Sequence, residues 1–242
     1  MWVVSRFLSR EQFVHTINGG PAGGLCFEVV LPLDKGVWTG TYEHDFAAAI
    51  SLGVRQGDVC YDVGGYRGYM TGVMARAGAG RVLVFEPLEA NWRALQRLIE
   101  LNPAYTIEPY CLAAGSDDGI ARFRVMSDPS MGKLALSLFQ PDAAAASDIE
   151  VVQRSLDSLV RKDKFPPPNV IKIDVEGAEM EVLIGASNIL KEFRPKLFIE
   201  IHTEELAENC LAFLKALRYC VHRLEERSDS RLPWHVVANP EG

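Results

Sequence analysis

Asp62, Gly64 and Gly68 form an acid-x-Gly-x-x-x-Gly pattern directly after the short apolar run Val59-Cys60-Tyr61, and Tyr69 to Ala77 follows without a proline. Strand, tight glycine turn and helix together make a nucleotide-type cofactor site at the carboxyl end of a parallel strand. Glycines let the backbone approach a ligand closely. A carboxylate beside such a turn suits a cationic amino-acid moiety better than a pyrophosphate. Glu86 lies 22 residues after Gly64, where an acid can accept both ribose hydroxyls, as it also does in adenine-dinucleotide sites. The dinucleotide fingerprint G-x-G-x-x-G fails: counting from Gly64 it meets Tyr66 and Tyr69, and counting from Gly65 it meets Arg67 and Met70. No Walker A loop, H-E-x-x-H or G-x-S-x-G occurs. Asp62 has a plainer reading as an acid near a helix start. A second group of reactive types stands further on: Asp174 and Glu176 after the apolar run Val170–Ile173, and Glu200 and His202 at the end of another.

The elements that hold these residues alternate. Arg81–Phe85 reads as a short buried strand, Glu89–Leu101 as a helix ended by Asn102-Pro103, and Thr106–Leu112 as a strand. Asn169–Asp174 and Lys196–Ile201 are strands, and Ala178–Lys191 and Glu204–Leu217 are helices. Tyr219–Leu224 and Trp234–Ala238 fit a closing antiparallel pair. Repeated strand–helix units predict an α/β fold, a mainly parallel sheet with helices on both faces. Between them, Ala121–Met126 suggests a hairpin arm paired near Leu134–Phe139, and Pro141–Ser147 a loop or short helix. Residues 1–55 form an N-terminal extension with a strand at Leu25–Leu33 and a helix at His44–Leu52, and 56–242 form the main domain. Tyr42-Glu43 precedes the glycine turn and suits a lid over it.

Composition bounds the partners. A chain of 242 residues with 48% hydrophobic and 24% charged residues is an ordinary globular protein with ample core. The net charge of −7 leaves no basic excess for phosphate neutralisation, so no nucleic-acid partner is expected. Five scattered cysteines without a C-x-x-C pair read as reduced thiols. The start, Met1–Arg6, has too short an apolar region for a signal peptide. No run reaches the ~18 apolar residues of a membrane span. The expectation is a cytoplasmic protein with a small-molecule partner, its oligomeric state left open.

The motifs together resemble the FkbM-type family of S-adenosylmethionine-dependent methyltransferases. The likeness runs from about Leu31 to Glu200. It rests on G-T-Y-E at Gly40, D-V-G-G-Y-R-G at Asp62, F-E-P at Phe85, Asn91, S-L-D-S-L at Ser155, I-K-I-D-V-E-G-A-E from Ile171 to Glu179, and R-P-K-L-F-I-E at Arg194. Where the family more usually carries Ala then Asn, this chain has Gly65 and Tyr66. The resemblance implies a Rossmann-like class I methyltransferase fold with a seven-stranded sheet. It implies that Asp62, Gly64, Gly65, Tyr66 and Gly68 surround the methionine end of S-adenosylmethionine. Glu86 and Pro87 would hold the ribose, and the loop Leu112–Asp117, with Ala113 and Asp117, would border the adenine.

Methyl transfer to a hydroxyl requires alignment of the acceptor and removal of a proton. Strand alternation puts Glu200 and His202 on one face, and His202 is the expected base, with Asp174 and Glu176 beside it. Asp174, Glu200 and His202 also offer ligands to a divalent metal, although no tight spacing signature requires one, and no metal residue is assigned. Lys172, inside a strand, is expected to pair with a buried acid. The reaction expected is O-methylation of a sugar or other natural-product hydroxyl. The alternatives are a non-catalytic module of the same fold and a nicotinamide-dependent oxidoreductase.

Overall fold

The computed structural model describes residues 12–126, 132–134, 145–225 and 232–241. β1 (Gln12–Thr16) and β2 (Cys26–Val30) form an antiparallel pair across the glycine-rich turn. α1 (Lys35–Thr39) and α2 (His44–Gly53) follow, and α2 buries Phe46, Ala47 and Ile50. Next come β3 (Val59–Val63), α3 (Tyr69–Ala77), β4 (Arg81–Phe85), α4 (Glu89–Leu101) and β5 (Ile107–Tyr110), close to their predicted places.

The irregular middle is a second sheet, built from β6 (Ala113–Ala114), β7 (Gly119–Met126), β8 (Gly132–Leu134) and β9 (Ala145–Arg154) in the order β6-β9-β7-β8. The predicted arm at Ala121–Met126 is the end of β7, and Phe123 does pair with Leu134. Its main partner, β9, takes in Ala145–Ser147, which the sequence assigns to a loop or helix; residues 135–144 lie outside those described. α5 (Leu156–Arg161) starts at Ser155, whose hydroxyl accepts the Ser158 amide at 3.2 Å.

The remaining elements are β10 (Val170–Ile173), α6 (Glu179–Gly185), α7 (Ser187–Glu192), β11 (Lys196–Ile201), α8 (Glu204–Ala216), β12 (Tyr219–Arg223) and β13 (Trp234–Pro240). The single helix expected over Ala178–Lys191 is two, divided at Ala186. Gly185, just before the division, packs so tightly that a Cβ there would stand 1.9 Å from the Gly115 carbonyl oxygen.

The main sheet has the order β12-β13-β11-β10-β3-β4-β5, parallel from β5 to β11, with β13 antiparallel to both β11 and β12. This is the Rossmann-like, mainly parallel seven-stranded sheet that was expected, with β13 inserted inside β12. β4 and β5 lie to one side of β3, and the chain crosses to β10 and β11 on the other. A crevice therefore opens at the carboxyl ends of β3 and β10, where ligands of such sheets bind.

Two apolar layers sandwich the sheet. One joins Tyr61, Phe85 and Ile171 to Leu183, Ile189 and Leu214 of the later helices. The other joins Cys60, Val84 and Phe198 to Val73, Met74 and Leu95, and the N-terminal extension adds Phe27, Val29, Phe46 and Ile50 to it. The boundary near residue 55 thus marks chain order and not a gap in packing. All five cysteines are free thiols. No helix among the described residues is long and apolar enough to cross a membrane.

Phe46 is buried against Phe198, with ring centroids 6.4 Å apart, and against His235 at 4.4 Å. Phe46→Ala is expected to cost about 3–5 kcal/mol in a single cooperative denaturant transition. A separate early transition would show instead that the extension unfolds on its own.

Candidate active site

The glycine turn after β3 is shaped by close approach. Gly64 has φ +78°, and a Cβ there would lie 1.8 Å from the Asp174 carbonyl oxygen, so only glycine lets the ends of β3 and β10 meet. A Cβ on Gly65 would stand 2.1 Å from Cγ1 of Val84. Tyr66 takes a left-handed conformation, φ +46°, uncommon for an aromatic residue. There its N–H donates to Glu86 Oε2 at 2.9 Å. Glu86 Oε1 accepts from the Leu88 amide at 2.9 Å and from Asn91 Nδ2 at 3.3 Å. Burial pushes the Glu86 carboxyl up to about 7 although these donors favour its ionised form.

Asp62 is fully buried beneath the turn. β3 and β10 are in register with Asp62 beside Lys172, and Lys172 Nζ lies 3.2 Å from Asp62 Oδ1 and 3.3 Å from Asp174 Oδ2. It also donates to the Gly64 carbonyl at 2.7 Å, while Thr71 Oγ1 donates to Asp62 Oδ2 at 2.5 Å. Burial alone would depress the ammonium, and the two carboxylates reverse this and hold its pKa above the usual Lys value. Lys172 therefore pairs with buried acids as expected, and Asp62 sits on it, away from the crevice wall.

A cavity of about 1180 Å³ occupies the crevice. Its wall includes Gly64, Tyr66, Glu86, Pro87 and Ala113 of the predicted cofactor residues, and Asp174 and Glu176 of the predicted catalytic ones. Asp62, Gly65, Gly68 and Asp117 stand off the wall. Gly68 precedes α3, and Asp117 accepts Gln153 Nε2 at 2.7 Å. Tyr42 closes another side, edge-on to Tyr69 with centroids 5.3 Å apart. Arg67, unassigned from sequence, ties the turn to the N-terminal extension. Its guanidinium grips both carboxylate oxygens of Asp34 at 2.9 and 2.8 Å and donates to the Glu28 carbonyl at 3.0 Å.

Behind Asp174 and Glu176 lies a buried network. His202 Nδ1 is 2.7 Å from Oε1 of Glu179, and its Nε2 stands 3.6 Å from Glu176, 3.6 Å from Glu200 and 3.8 Å from Asp174. Burial opposes a charge on this ring, but Glu179 and the neighbouring acids overcome it and raise its pKa to about 9. The expected base thus lies behind the cavity wall, among acids that favour its charged form. Burial and the surrounding acids raise Glu176 to about 7, against the pull of His202. Glu176 itself takes a left-handed φ of +52°, the kind of backbone strain that collects at functional turns.

Sequence reasoning missed two contributors. Strand pairing sets His235 opposite Glu200, with Nε2 3.4 Å from Oε2 of Glu200 and Nδ1 2.7 Å from Glu225. Glu43, expected only as part of a lid, joins the same group. Asp174, Glu200 and His202, and separately Glu43, Glu200 and His235, bring ligand atoms within 4.8 Å of one another. Only the insertion of β13 beside β11 creates the second set.

Removing the ammonium strands two buried carboxylates. Lys172→Met is expected to lose about 3–5 kcal/mol of stability in chemical denaturation. A loss under about 1 kcal/mol would mean that the ion pairs do not hold the crevice together.

Comparison with known proteins agrees with this geometry. The family model of the methyltransferase FkbM domain matches residues 62–224. The hexuronic acid methyltransferase AglP of Haloferax volcanii is 28% identical over 160 residues, which cover 66% of this chain and 62% of that protein. The chain thus spans less than two thirds of that relative. The solved methyltransferase FkbM from Methylobacillus flagellatus KT superposes with a TM-score of 0.53 at 21% identity, over 75% of this chain and 43% of that one. A SAM-dependent O-methyltransferase from Thermotoga maritima superposes at 0.51 with 11% identity, over 89% and 73% of the two chains. These structures show a shared class I methyltransferase fold. With most of its length inside the matched domain, the chain belongs to the FkbM family of methyltransferases.

Proposed function

We propose that this methyltransferase uses S-adenosylmethionine to methylate a hydroxyl oxygen of a sugar or related natural product. The observation that carries the reading is one continuous cavity whose wall holds Gly64, Tyr66 and Glu86 on one side and Asp174 and Glu176 on the other. S-Adenosylmethionine supplies an electrophilic methyl group on a sulfonium. The residues present fit it: the cavity is large enough for a cofactor and an acceptor, the wall is acidic where a cationic donor would lie, and the Glu86 carboxylate is fixed by three donors for a ribose. Glycine at 64 and 65 lets the turn pack directly on the Asp174 carbonyl and on Val84, which sets the floor of the crevice.

The chain's own task is to orient the acceptor and take its proton. Glu176 reaches the cavity, so it is assigned the proton-accepting role, and His202, clamped by Glu179, positions it from behind. The sugar class follows the hexuronic acid methyltransferase similarity.

Calorimetric titration with S-adenosylhomocysteine should show saturable binding, and no heat at millimolar ligand would refute the cofactor assignment. Glu86→Gln should weaken that binding about 10- to 100-fold through loss of charged acceptors. Because the Glu86 carboxyl titrates at about 7, its accepting, ionised form is lost as pH falls through that value. Wild-type affinity should therefore decline below neutrality, and more steeply than that of the Gln variant. Glu176→Gln should lower kcat on a hexose or hexuronic acid glycoside about 10²- to 10⁴-fold, with S-adenosylhomocysteine affinity unchanged. An undiminished kcat would remove Glu176 from the role.

A further inference from the structure

The geometry points to a divalent-cation site formed by Asp174 Oδ1, Glu200 Oε1 and His202 Nε2 at the inner edge of the cavity. Ligands about 2.1 Å from an ion stand roughly 3 Å apart when adjacent and roughly 4 Å apart when opposite. His202 Nε2 is 3.8 Å from that oxygen of Asp174 and 3.6 Å from that oxygen of Glu200, within this span.

Each prospective ligand is also aimed from behind. Lys172 holds Asp174 by its other oxygen, Oδ2, at 3.3 Å. His235 approaches Glu200 at its other oxygen, Oε2, at 3.4 Å. Glu179, fully buried and itself anchored by the Gly177 amide at 2.9 Å, takes Nδ1 of His202 at 2.7 Å and turns Nε2 toward the two carboxylates. A carboxylate that fixes the far nitrogen of a histidine is the usual support of a metal-bound imidazole. Charge favours an occupant too. Asp62, Asp174, Glu176, Glu179 and Glu200 converge here, and Lys172 is the permanent cation among them. With the Nε2 proton released to solvent as the ion binds, one imidazole and two carboxylates suit an ion of the Mn²⁺ or Mg²⁺ kind, which keeps coordination positions for water or substrate oxygens. Asp174 lies in the cavity wall, so a bound ion meets the acceptor side, where it would lower the pKa of a coordinated hydroxyl beside Glu176.

This consequence for turnover rests on the methyl-transfer reading, but binding of the ion does not, and the two are measured separately. Protein freed of metal with a chelator is titrated with Mn²⁺ alone, followed by calorimetry and electron paramagnetic resonance. One ion should bind at submillimolar metal, and pulsed resonance should show coupling to a histidine nitrogen that changes on ¹⁵N-histidine labelling. His235→Gln should keep that coupling and His202→Gln should lose it. Glu179→Gln, which preserves shape, should weaken binding about 10- to 100-fold. If His202→Gln does not fold, the labelling result on the wild type and retention in His235→Gln decide. Absence of a bound ion at millimolar Mn²⁺, or loss of the nitrogen coupling in His235→Gln alone, would overturn the assignment. S-Adenosylhomocysteine should bind the metal-free protein. If it does not while Mn²⁺ does, the cofactor reading fails and the ion site stands.

Discussion

The crevice depends on one buried ammonium. Lys172 sits in the middle strand of a parallel sheet, where every neighbour's backbone is already paired and water is excluded. Its charge is tolerable only because the register of β3 and β10 brings Asp62 alongside it, and Asp174 follows two residues later on the same face. Its third contact, to the Gly64 carbonyl at 2.7 Å, pins the turn that the cofactor reading requires. Gly64 must be glycine for the same reason: the carbonyl of Asp174 occupies the space of its side chain. One ion-paired group thus sets the separation between the turn and the acidic wall.

This changes what the acid at the start of the glycine turn does. From the sequence, Asp62 reads as a carboxylate facing a cofactor. In the structure it is spent on Lys172 and Thr71, and Glu86 presents the carboxylate at the wall. Local patterns told that Asp62 ends a strand, but which way its side chain is spent depends on a lysine 110 positions on. The same distinction runs through the fold. Strands and helices with a clear local period, such as α3, β4 and α4, lie where their spacing places them. Of the second sheet only the β7–β8 arm was legible; the main pairing of β7 with β9 was not, because the two are joined through a stretch with no periodic signal. His235 was invisible as a site residue for a related reason. Its role comes from β13 lying between β11 and β12, a choice of neighbour that no local spacing encodes.

The N-terminal extension is also more than a cover. Arg67, one residue before the helix-starting Gly68, reaches back to Asp34 and to the Glu28 carbonyl, so the glycine turn and β2 share a single clamp. Val37 and Tyr42 line the cavity, and Phe46 packs on the sheet beneath His235. A substitution in this region therefore acts on the site through packing, even where the side chain touches no ligand.

The sign of the charge around the cavity ties these features together. Carboxylates crowded in a low-dielectric region repel each other, and that repulsion shows in the raised pKa values of Glu43 and Glu176, both about 7, where burial is the larger cause. A protein can relieve such a site with protons, with its own cations, or with a bound cation. Here Lys172 relieves Asp62 and Asp174, and the two histidines, raised to about 9, relieve Glu179, Glu200 and Glu225 with protons. On the proposed reading, a sulfonium cofactor beside Glu86 would bring positive charge to the same wall, and its binding would be favoured by a repulsion that the fold already carries. The acidic wall would, on that reading, favour a cationic donor. On this argument the excess of carboxylates is part of how the site discriminates.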